Sequence, residues 1–234
     1  YRVSGDEKYA VEWTKQYIDW IRKNPYLNYK DILVDGAGDG SVKESLDADL
    51  ENMRFAWRPL EVSARLKDQP VQFQLFIDSP AFTAEFLTEF LFNYHRHAEH
   101  IMNNFSKQGN HLLFEALRII TAGAFFPEFK KAENWRNKGV EILNREINVQ
   151  VYDDGGQYEL CPHYHLASIE IFVDALIVAD LNGLRHEFPQ SYIDTIEKMI
   201  MFYANISYPD YMNPCFSDAR LLSKSSVLGN FKKW

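Results

Sequence analysis

The feature that most constrains the fold of this 234-residue chain is the repeated spacing of apolar residues three and four positions apart. Stretches in which polar and apolar residues alternate, as they do in strands, are scarce. Helical patterns begin at Ser4, Trp57, Ser79-Pro80, Gly109 and Pro162, run through Trp135, and resume after Pro189. Short joints between such helices favour antiparallel hairpins. The sequence therefore predicts an all-α array or toroid of helical hairpins, with residues 1–234 in one domain.

Composition excludes several classes of function. The formal charge of −8 provides no basic surface for nucleic acid, and an anionic ligand would need local groups to hold it. No apolar run approaches the length of a membrane span. Cys161 and Cys215 do not form a disulfide framework, and no zinc-ligand spacing surrounds them. We therefore expect no nucleic-acid or membrane partner.

Two groups of residues resemble metal sites but lack the pattern of one. The acidic segment 35–49 is predicted to be an exposed loop, and its aspartates do not have EF-hand spacing. His97 and His100 could share a helix face, whereas His95 points elsewhere and no carboxylate completes a site. A solvated helix face is the preferred interpretation, and no metal is predicted.

The segment from Asp153 to His165 is the most informative for chemistry. A glycine-containing turn precedes Pro162, which suits the first position of a helix because its missing N–H would be unpaired there. Tyr164 then lies in the first turn, where the helix dipole favours an anion, so the phenol is a candidate for proton transfer. The alternative is an aromatic first turn that packs on a neighbouring helix.

Asn110 and His111 form a second candidate pair, directly after Gly109. An amide donor beside an imidazole could bind a carboxylate and stabilise an enediolate. The alternative for Asn110 is a simple N-cap, since asparagine is among the best capping residues. His111 alone would be an ordinary histidine.

A third helix start, at Trp57-Arg58, offers an aromatic ring for a sugar and a cation for an anion. Trp57 could equally be a core residue, and Arg58 could pair with Glu61 three positions later. Glu159, close to Tyr164 in sequence, could orient the phenol. Glu128 and Glu159 could also be the paired carboxylates of a glycoside hydrolase.

Several separate blocks, in the same order along the chain, resemble one enzyme family. They comprise residues 57–63, 109–116, 126–130, 157–165 and 187–192. On these blocks the chain resembles the heparinase II/III-type polysaccharide lyases over nearly its whole length. Within that family the likeness is greatest to the heparan-sulfate lyases.

The resemblance implies an incomplete (α/α) toroid of antiparallel helical hairpins, followed in the parent chain by a C-terminal β-sandwich domain. The chain is then expected to be part of the catalytic toroid. A periplasmic or secreted location is implied as well, although the chain has no signal peptide. By itself the chain is expected to have little or no activity, because a further catalytic histidine of the family comes from the β domain.

The resemblance also implies roles for individual residues. Asn110 matches the asparagine that neutralises the uronate carboxylate, and Tyr164 matches the catalytic tyrosine, as base or acid. His111 matches a histidine that helps to bind the carboxylate in related uronate lyases. Relatives often have serine at the position of Cys161. Substrate-binding roles are predicted for Trp57, Arg58 and Glu159.

These residue types suit β-elimination, in which the C5 proton of a hexuronate is removed and the 4-linked chain breaks, without a cofactor. The implied substrate is heparan sulfate or a related anionic glycosaminoglycan. Three alternatives stay open: an alginate or other polyuronate lyase, an α-toroid glycoside hydrolase, and a non-catalytic glycan-binding module. The products distinguish them, because only elimination yields an ultraviolet-absorbing unsaturated uronate.

Overall fold

The computed structural model describes residues 1, 3–26, 55–222 and 227. Within these ranges the chain is helical, and the only strand-like pairing is an isolated bridge between Val151 and Gln157. The helices are α1 (Lys8–Lys23), α2 (Pro59–Phe76), α3 (Ala84–Asn103), α4 (Gly109–Phe125), α5 (Ala132–Gln150), α6 (Pro162–Leu181) and α7 (Gln190–Ile206), with a 3-10 turn at Arg185–Glu187. The predicted loop 35–49 lies outside the described residues. None of the described helices has the length and apolarity that crossing a bilayer requires.

Several predicted helix starts are confirmed, and two are wrong: the helix predicted from Ser4 begins at Lys8, and the one predicted from Ser79-Pro80 also begins later. Gly109 and Pro162 are the first residues of α4 and α6. The helix predicted from Ser79-Pro80 begins instead at Ala84, because Thr83 is its cap: the hydroxyl oxygen of Thr83 accepts the N–H of Phe86 at 3.2 Å. Residues 79–82 form a turn in which the N–H of Phe82 donates to the carbonyl of Ser79.

The described residues divide into two compact units, 1–107 and 108–234. In the first unit, α2 packs against α3, and an aromatic cluster fills the core. The ring of Trp13 lies 5.1–6.0 Å from four phenylalanine rings, those of Phe76, Phe82, Phe86 and Phe90. Rings at these separations bury a large apolar area with few side chains.

In the second unit, α4 packs against α5 and α6, and α6 packs against α7. Two glycines permit the close approach of α4 and α5. A Cβ atom at Gly139 would lie 2.6 Å from the carbonyl oxygen of Ala116, and one at Gly123 would lie 2.3 Å from that of Ala132. This packing holds the starts of α4 and α6, which carry Asn110 and Tyr164, on one framework. Whether 1–234 form a single domain stays a prediction.

Candidate functional site

Asn110 is the second residue of α4 and not its cap. The helix begins at Gly109, whose φ of +80° is a conformation that favours glycine. The preceding residue, Gln108, makes no side-chain cap hydrogen bond. The N-cap explanation of Asn110 is therefore wrong, and its carboxamide is available for another role.

The start of α4 is capped from a distance by Glu159. Its Oε1 atom accepts the backbone N–H of Asn110 at 3.0 Å, and its Oε2 atom lies 3.5 Å from Nδ2 of the same residue. A carboxylate is favourable at this position because the first-turn N–H groups of a helix lack partners and carry partial positive charge. The contact spans 49 positions of sequence, so local sequence patterns could not reveal it.

The segment between α5 and α6 holds Glu159 in place. It turns back at Gly155 and pairs with the end of α5, where the N–H of Tyr158 donates to the carbonyl of Gln150 at 2.8 Å. The backbone N–H of Glu159 donates to the side-chain oxygen of Gln157 at 2.9 Å. Leu160, which follows, has a φ of +51°, a conformation that costs a leucine about 1–2 kcal/mol. Such strained backbone persists where surrounding contacts demand it.

His165 anchors this segment to α7. Its Nδ1 atom accepts the backbone N–H of Gln157 at 3.1 Å, so its Nε2 atom carries the proton and donates to the carbonyl of Met199 at 2.9 Å. Burial lowers the pKa of this imidazole below its usual value, which keeps it neutral. The sequence marked His165 only as a neighbour of Tyr164, and its structural role was missed.

Tyr164 is half-buried in the first turn of α6. Its hydroxyl lies 3.5 Å from Oδ2 of Asp218, and the ring of His163 stacks beside its own at 6.0 Å. Partial burial raises the pKa of the phenol above its usual value of 10, and the negative charges of Asp218 and Glu159 add to the shift.

Two expectations about Tyr164 therefore change. The helix dipole was expected to stabilise the phenolate, whereas partial burial and the nearby acidic groups raise the pKa of the phenol, which is therefore protonated at neutral pH. Glu159 was expected to orient the phenol directly, whereas its carboxylate forms hydrogen bonds with Asn110 and Gln157. Asp218, which the sequence did not single out, is the acceptor near the phenol.

His111 is exposed on α4, immediately after Asn110. Successive helix residues point about 100° apart, so the imidazole and the carboxamide lie at the same helix end but point in different directions. Asn110, His111, Glu159 and Tyr164 all belong to the second unit.

The two residues predicted at the start of α2 belong to the first unit. Trp57 is only 1% exposed, and its indole N–H donates to the carbonyl of Asn24 at 3.2 Å. This burial favours the alternative of a core tryptophan over sugar stacking. The guanidinium of Arg58 pairs with Glu61, with Nε 2.6 Å from Oε2. Arg58 would have to exchange this partner to bind an anionic sugar.

The remaining candidates are the histidines considered as metal ligands and the carboxylate of Glu128, considered for a glycoside hydrolase. His97 and His100 are buried against the ring of Trp57, so the predicted solvated helix face is wrong for these two residues. Among the described residues, no group of three or more histidine, cysteine or acidic side chains gathers as a metal site would require. Glu128 is exposed in the turn after α4.

Similarity to known proteins identifies the class to which this protein belongs. The family model of the heparinase II/III N-terminus matches residues 1–234, so the chain belongs to that family. It is 67% identical over its whole length to a heparin-sulfate lyase of Bacteroides stercoris, and 46% identical to one of Pedobacter heparinus. It covers 34% and 32% of these two proteins, about a third of the length of the curated relatives it matches.

Solved structures agree with the sequence relatives. A heparinase III structure at 64% identity superposes with a TM-score of 0.82, and the chain covers 36% of it. Another heparinase III structure, at 31% identity, gives a TM-score of 0.86 over 34% of its chain. All of the present chain is covered in both comparisons. The predicted family and the predicted all-α fold class, part of an (α/α) toroid, are confirmed. The roles of individual residues stay predictions.

Proposed function

We propose that the complete protein containing this chain is a polysaccharide lyase that cleaves heparan sulfate. It acts at the 1,4 links between hexosamine and hexuronate, by β-elimination. The observation that carries the proposal is the hydrogen bonding of Glu159 to Asn110, which ties the start of α4 to the segment that leads into α6 and Tyr164. Membership of the heparinase II/III family over residues 1–234 supports the choice of chemistry.

The first task of such a site is to stabilise charge on the uronate carboxylate. Loss of the C5 proton moves an electron pair toward that carboxylate, which becomes enolate-like in the transition state. The carboxamide of Asn110 donates an N–H to it, and His111 on the same helix end supplies a second polar group. Because the formal charge of the chain is −8, these local donors must bind an anionic glycan against the overall field.

The second task is to protonate the leaving group. As the C4–O4 bond breaks, its electron pair goes to O4, and a C4=C5 double bond forms. The raised pKa of Tyr164 means that its phenol holds a proton at neutral pH, which favours a role as the donor to O4. Removal of the C5 proton then falls to a second group, such as the histidine that the family resemblance assigns to the β domain.

Two further parts of the proposal concern the complete protein. By analogy with the family, a β-sandwich domain supplies the other wall of the cleft. A periplasmic or secreted location would give the enzyme access to its polysaccharide.

The test is an ultraviolet absorbance assay of the complete protein on heparan sulfate, heparin, chondroitin sulfate and alginate. We expect unsaturated uronate from heparan sulfate, and we expect Asn110→Ala and Tyr164→Phe each to lower kcat by about 100-fold or more. Tyr152→Phe, at a tyrosine that is 52% exposed in the same unit, is the matched control and keeps normal turnover.

Other outcomes would replace the proposal with a specific alternative. Preference for alginate would indicate a polyuronate lyase, and new reducing ends without absorbance would indicate a hydrolase. Retention of uncut glycan would indicate a binding module. Near-normal rates in both Asn110→Ala and Tyr164→Phe would remove these residues from the mechanism.

A further inference from the structure

We propose that Glu159 is a positioning residue, which acts through Asn110 by fixing which atoms of its carboxamide face the substrate. This inference rests on the proposed lyase function. It assigns Glu159 to Asn110 in place of the direct contacts with substrate or with Tyr164 that the sequence suggested.

The argument begins with the donors and acceptors at the start of α4. A carboxylate only accepts hydrogen bonds, so the atom of the Asn110 carboxamide that faces Oε2 of Glu159, at 3.5 Å, must be the nitrogen. One N–H of that nitrogen points at Glu159, and the second N–H points away from it. With the amide reversed, its oxygen would face the carboxylate, and two acceptors would oppose each other. The carboxylate thus selects one of the two orientations of the carboxamide and fixes the direction of its second N–H, which is the donor assigned to the uronate.

The position of Glu159 is itself fixed by contacts that do not involve Asn110. Gln157 uses both ends of its side chain: its oxygen accepts the N–H of Glu159 at 2.9 Å, and its nitrogen lies 3.4 Å from Oε1 of Glu159. The same nitrogen lies 3.4 Å from the side-chain oxygen of Gln150. Gln150 and Gln157 are 0% and 2% exposed, so water competes little for these bonds.

The network also reaches the helix that Asn110 starts. The side-chain nitrogen of Gln150 lies 3.3 Å from the carbonyl oxygen of Gly109 and 2.8 Å from Oε2 of Glu146. Glu146 in turn pairs with Arg145 at 2.7 Å. Glu159 and the backbone next to Asn110 are therefore held by one hydrogen-bonded chain, which reduces their relative motion.

The backbone beyond Glu159 points to the same conclusion. Leu160 has a φ of +51°, yet it is 59% exposed, so its own side chain gains little from this conformation. The turn lets the chain present Glu159 to α4 and then start α6 at Pro162, two residues after Leu160. Strain retained next to a functional group is expected where placement of that group matters.

The experiment is a double-mutant cycle in the complete protein, with Glu159→Gln, Asn110→Ala and the double variant assayed on heparan sulfate. Gln at position 159 keeps one acceptor but presents an amide NH2 group to the Asn110 nitrogen, so the carboxamide reverses and its N–H groups lose the direction that the carboxylate set. We expect kcat to fall about tenfold or more with little change in KM, because the lost N–H acts on the transition state. In the Asn110→Ala background, Glu159→Gln should change kcat by less than about twofold.

Two further variants separate positioning from folding. Glu141→Gln makes the same chemical change at an exposed residue of α5 that pairs with Lys138, and it should leave kcat unchanged. Gln157→Leu removes the side-chain support while keeping Glu159, and it should lower kcat less than Glu159→Gln does. If Glu159→Gln fails to fold, as judged by its thermal unfolding midpoint, the cycle of Gln157→Leu with Asn110→Ala takes its place.

The outcomes are separable. Multiplicative losses in the double variant would mean that Glu159 acts independently of Asn110 and would overturn the inference, as would normal kcat in Glu159→Gln. A wild-type protein that releases no unsaturated uronate from any of the four glycans rejects the proposed function first, and the positioning role with it.

Discussion

Two buried polar clusters, one in each unit, have different surroundings. In the first unit, His97 and His100 lie against the indole of Trp57, with ring centroids 5.1 and 5.6 Å away. In the second unit, Gln150 and Gln157 lie in a chain of hydrogen bonds that ends at the first turn of α4. Aromatic rings cover the two imidazoles of the first unit, whereas hydrogen bonds link the two carboxamides of the second unit to their neighbours.

The difference shows what each unit can do with its polar groups. Rings cover the histidines and disfavour their charged forms, so these residues contribute to packing and make that core sensitive to acid. A hydrogen-bonded chain instead determines where each atom lies, because every member constrains the next. The second unit is therefore the one suited to hold a reacting group in a defined orientation, and the three residues of this chain proposed for carboxylate binding and proton transfer, Asn110, His111 and Tyr164, belong to it.

The largest effect on stability is expected from a substitution that disrupts the turn supporting the hydrogen-bonded chain of the second unit. Gly155 has a φ of +92°, and a Cβ atom there would lie 2.3 Å from the carbonyl oxygen of Lys198 in α7. Gly155→Ala should lower the free energy of unfolding by roughly 3 kcal/mol or more, because clash adds to strain. Chemical denaturation followed by circular dichroism measures the loss.

The matched control lies in the first unit. Gly5 has a φ of +63°, and a Cβ atom added there would meet nothing within 4 Å, so Gly5→Ala carries strain without a clash. It should cost about 1 kcal/mol. Equal losses for the two variants would contradict the close packing of the Gly155 turn against α7.

The second effect concerns how the stability of the first unit depends on pH. Burial lowers the pKa of His100 to about 4 and also lowers that of His97. The unfolded chain binds these protons below pH 6.5 whereas the fold does not, so stability should fall as pH drops from 6.5 toward 4. His100 alone contributes roughly 3 kcal/mol to that loss.

Denaturation curves at several pH values, read by tryptophan fluorescence, test this expectation. His100→Gln should be less stable than the wild type at pH 7 but should lose less stability on acidification. His186→Gln, at an exposed histidine of the second unit, should retain the wild-type slope. Parallel curves for the wild type and His100→Gln would show that His100 does not titrate in this window.

The smallest expected effect concerns the strained backbone of Leu160. Asparagine tolerates positive φ better than leucine, and valine tolerates it worse. Leu160→Asn should therefore raise the free energy of unfolding by about 0.5–1 kcal/mol, and Leu160→Val should lower it by a similar amount. Thermal unfolding of the two variants gives the comparison, and the same sign for both would contradict a backbone origin of the effect.

Much of this architecture could be predicted from sequence, because its signals are local. Pro162 and Gly109 mark helix starts by their own backbone chemistry, and both positions are confirmed. The predicted helix start at Ser79-Pro80 was wrong because Thr83, four residues after Ser79, caps the helix instead. A proline signal says where a helix is permitted to begin, and not which nearby residue caps it.

The candidate residues could be named from the sequence, and their roles stay predictions, whereas their contacts could not be predicted. Asn110 and Tyr164 were found from helix starts and from the family blocks. The partner of Glu159 depends on the way the segment after α5 folds back onto α4, and no periodicity encodes a contact across 49 positions. The rise in the pKa of the phenol was missed for the same reason, since it comes first from burial in the folded chain and then from Asp218, which lies 54 positions away along the chain.

The distant cap on α4 also has a consequence for how the site can be turned off. The first turn of α4 depends on a group from the segment between α5 and α6, so a small excursion of that segment would release the N–H and the carboxamide of Asn110 together. The rest of α4 and of α6 would stay folded, since the packing between these helices does not use Glu159. The proposed binding of a carboxylate at this helix end would then be governed by a local opening equilibrium, which costs less free energy than unfolding of the unit.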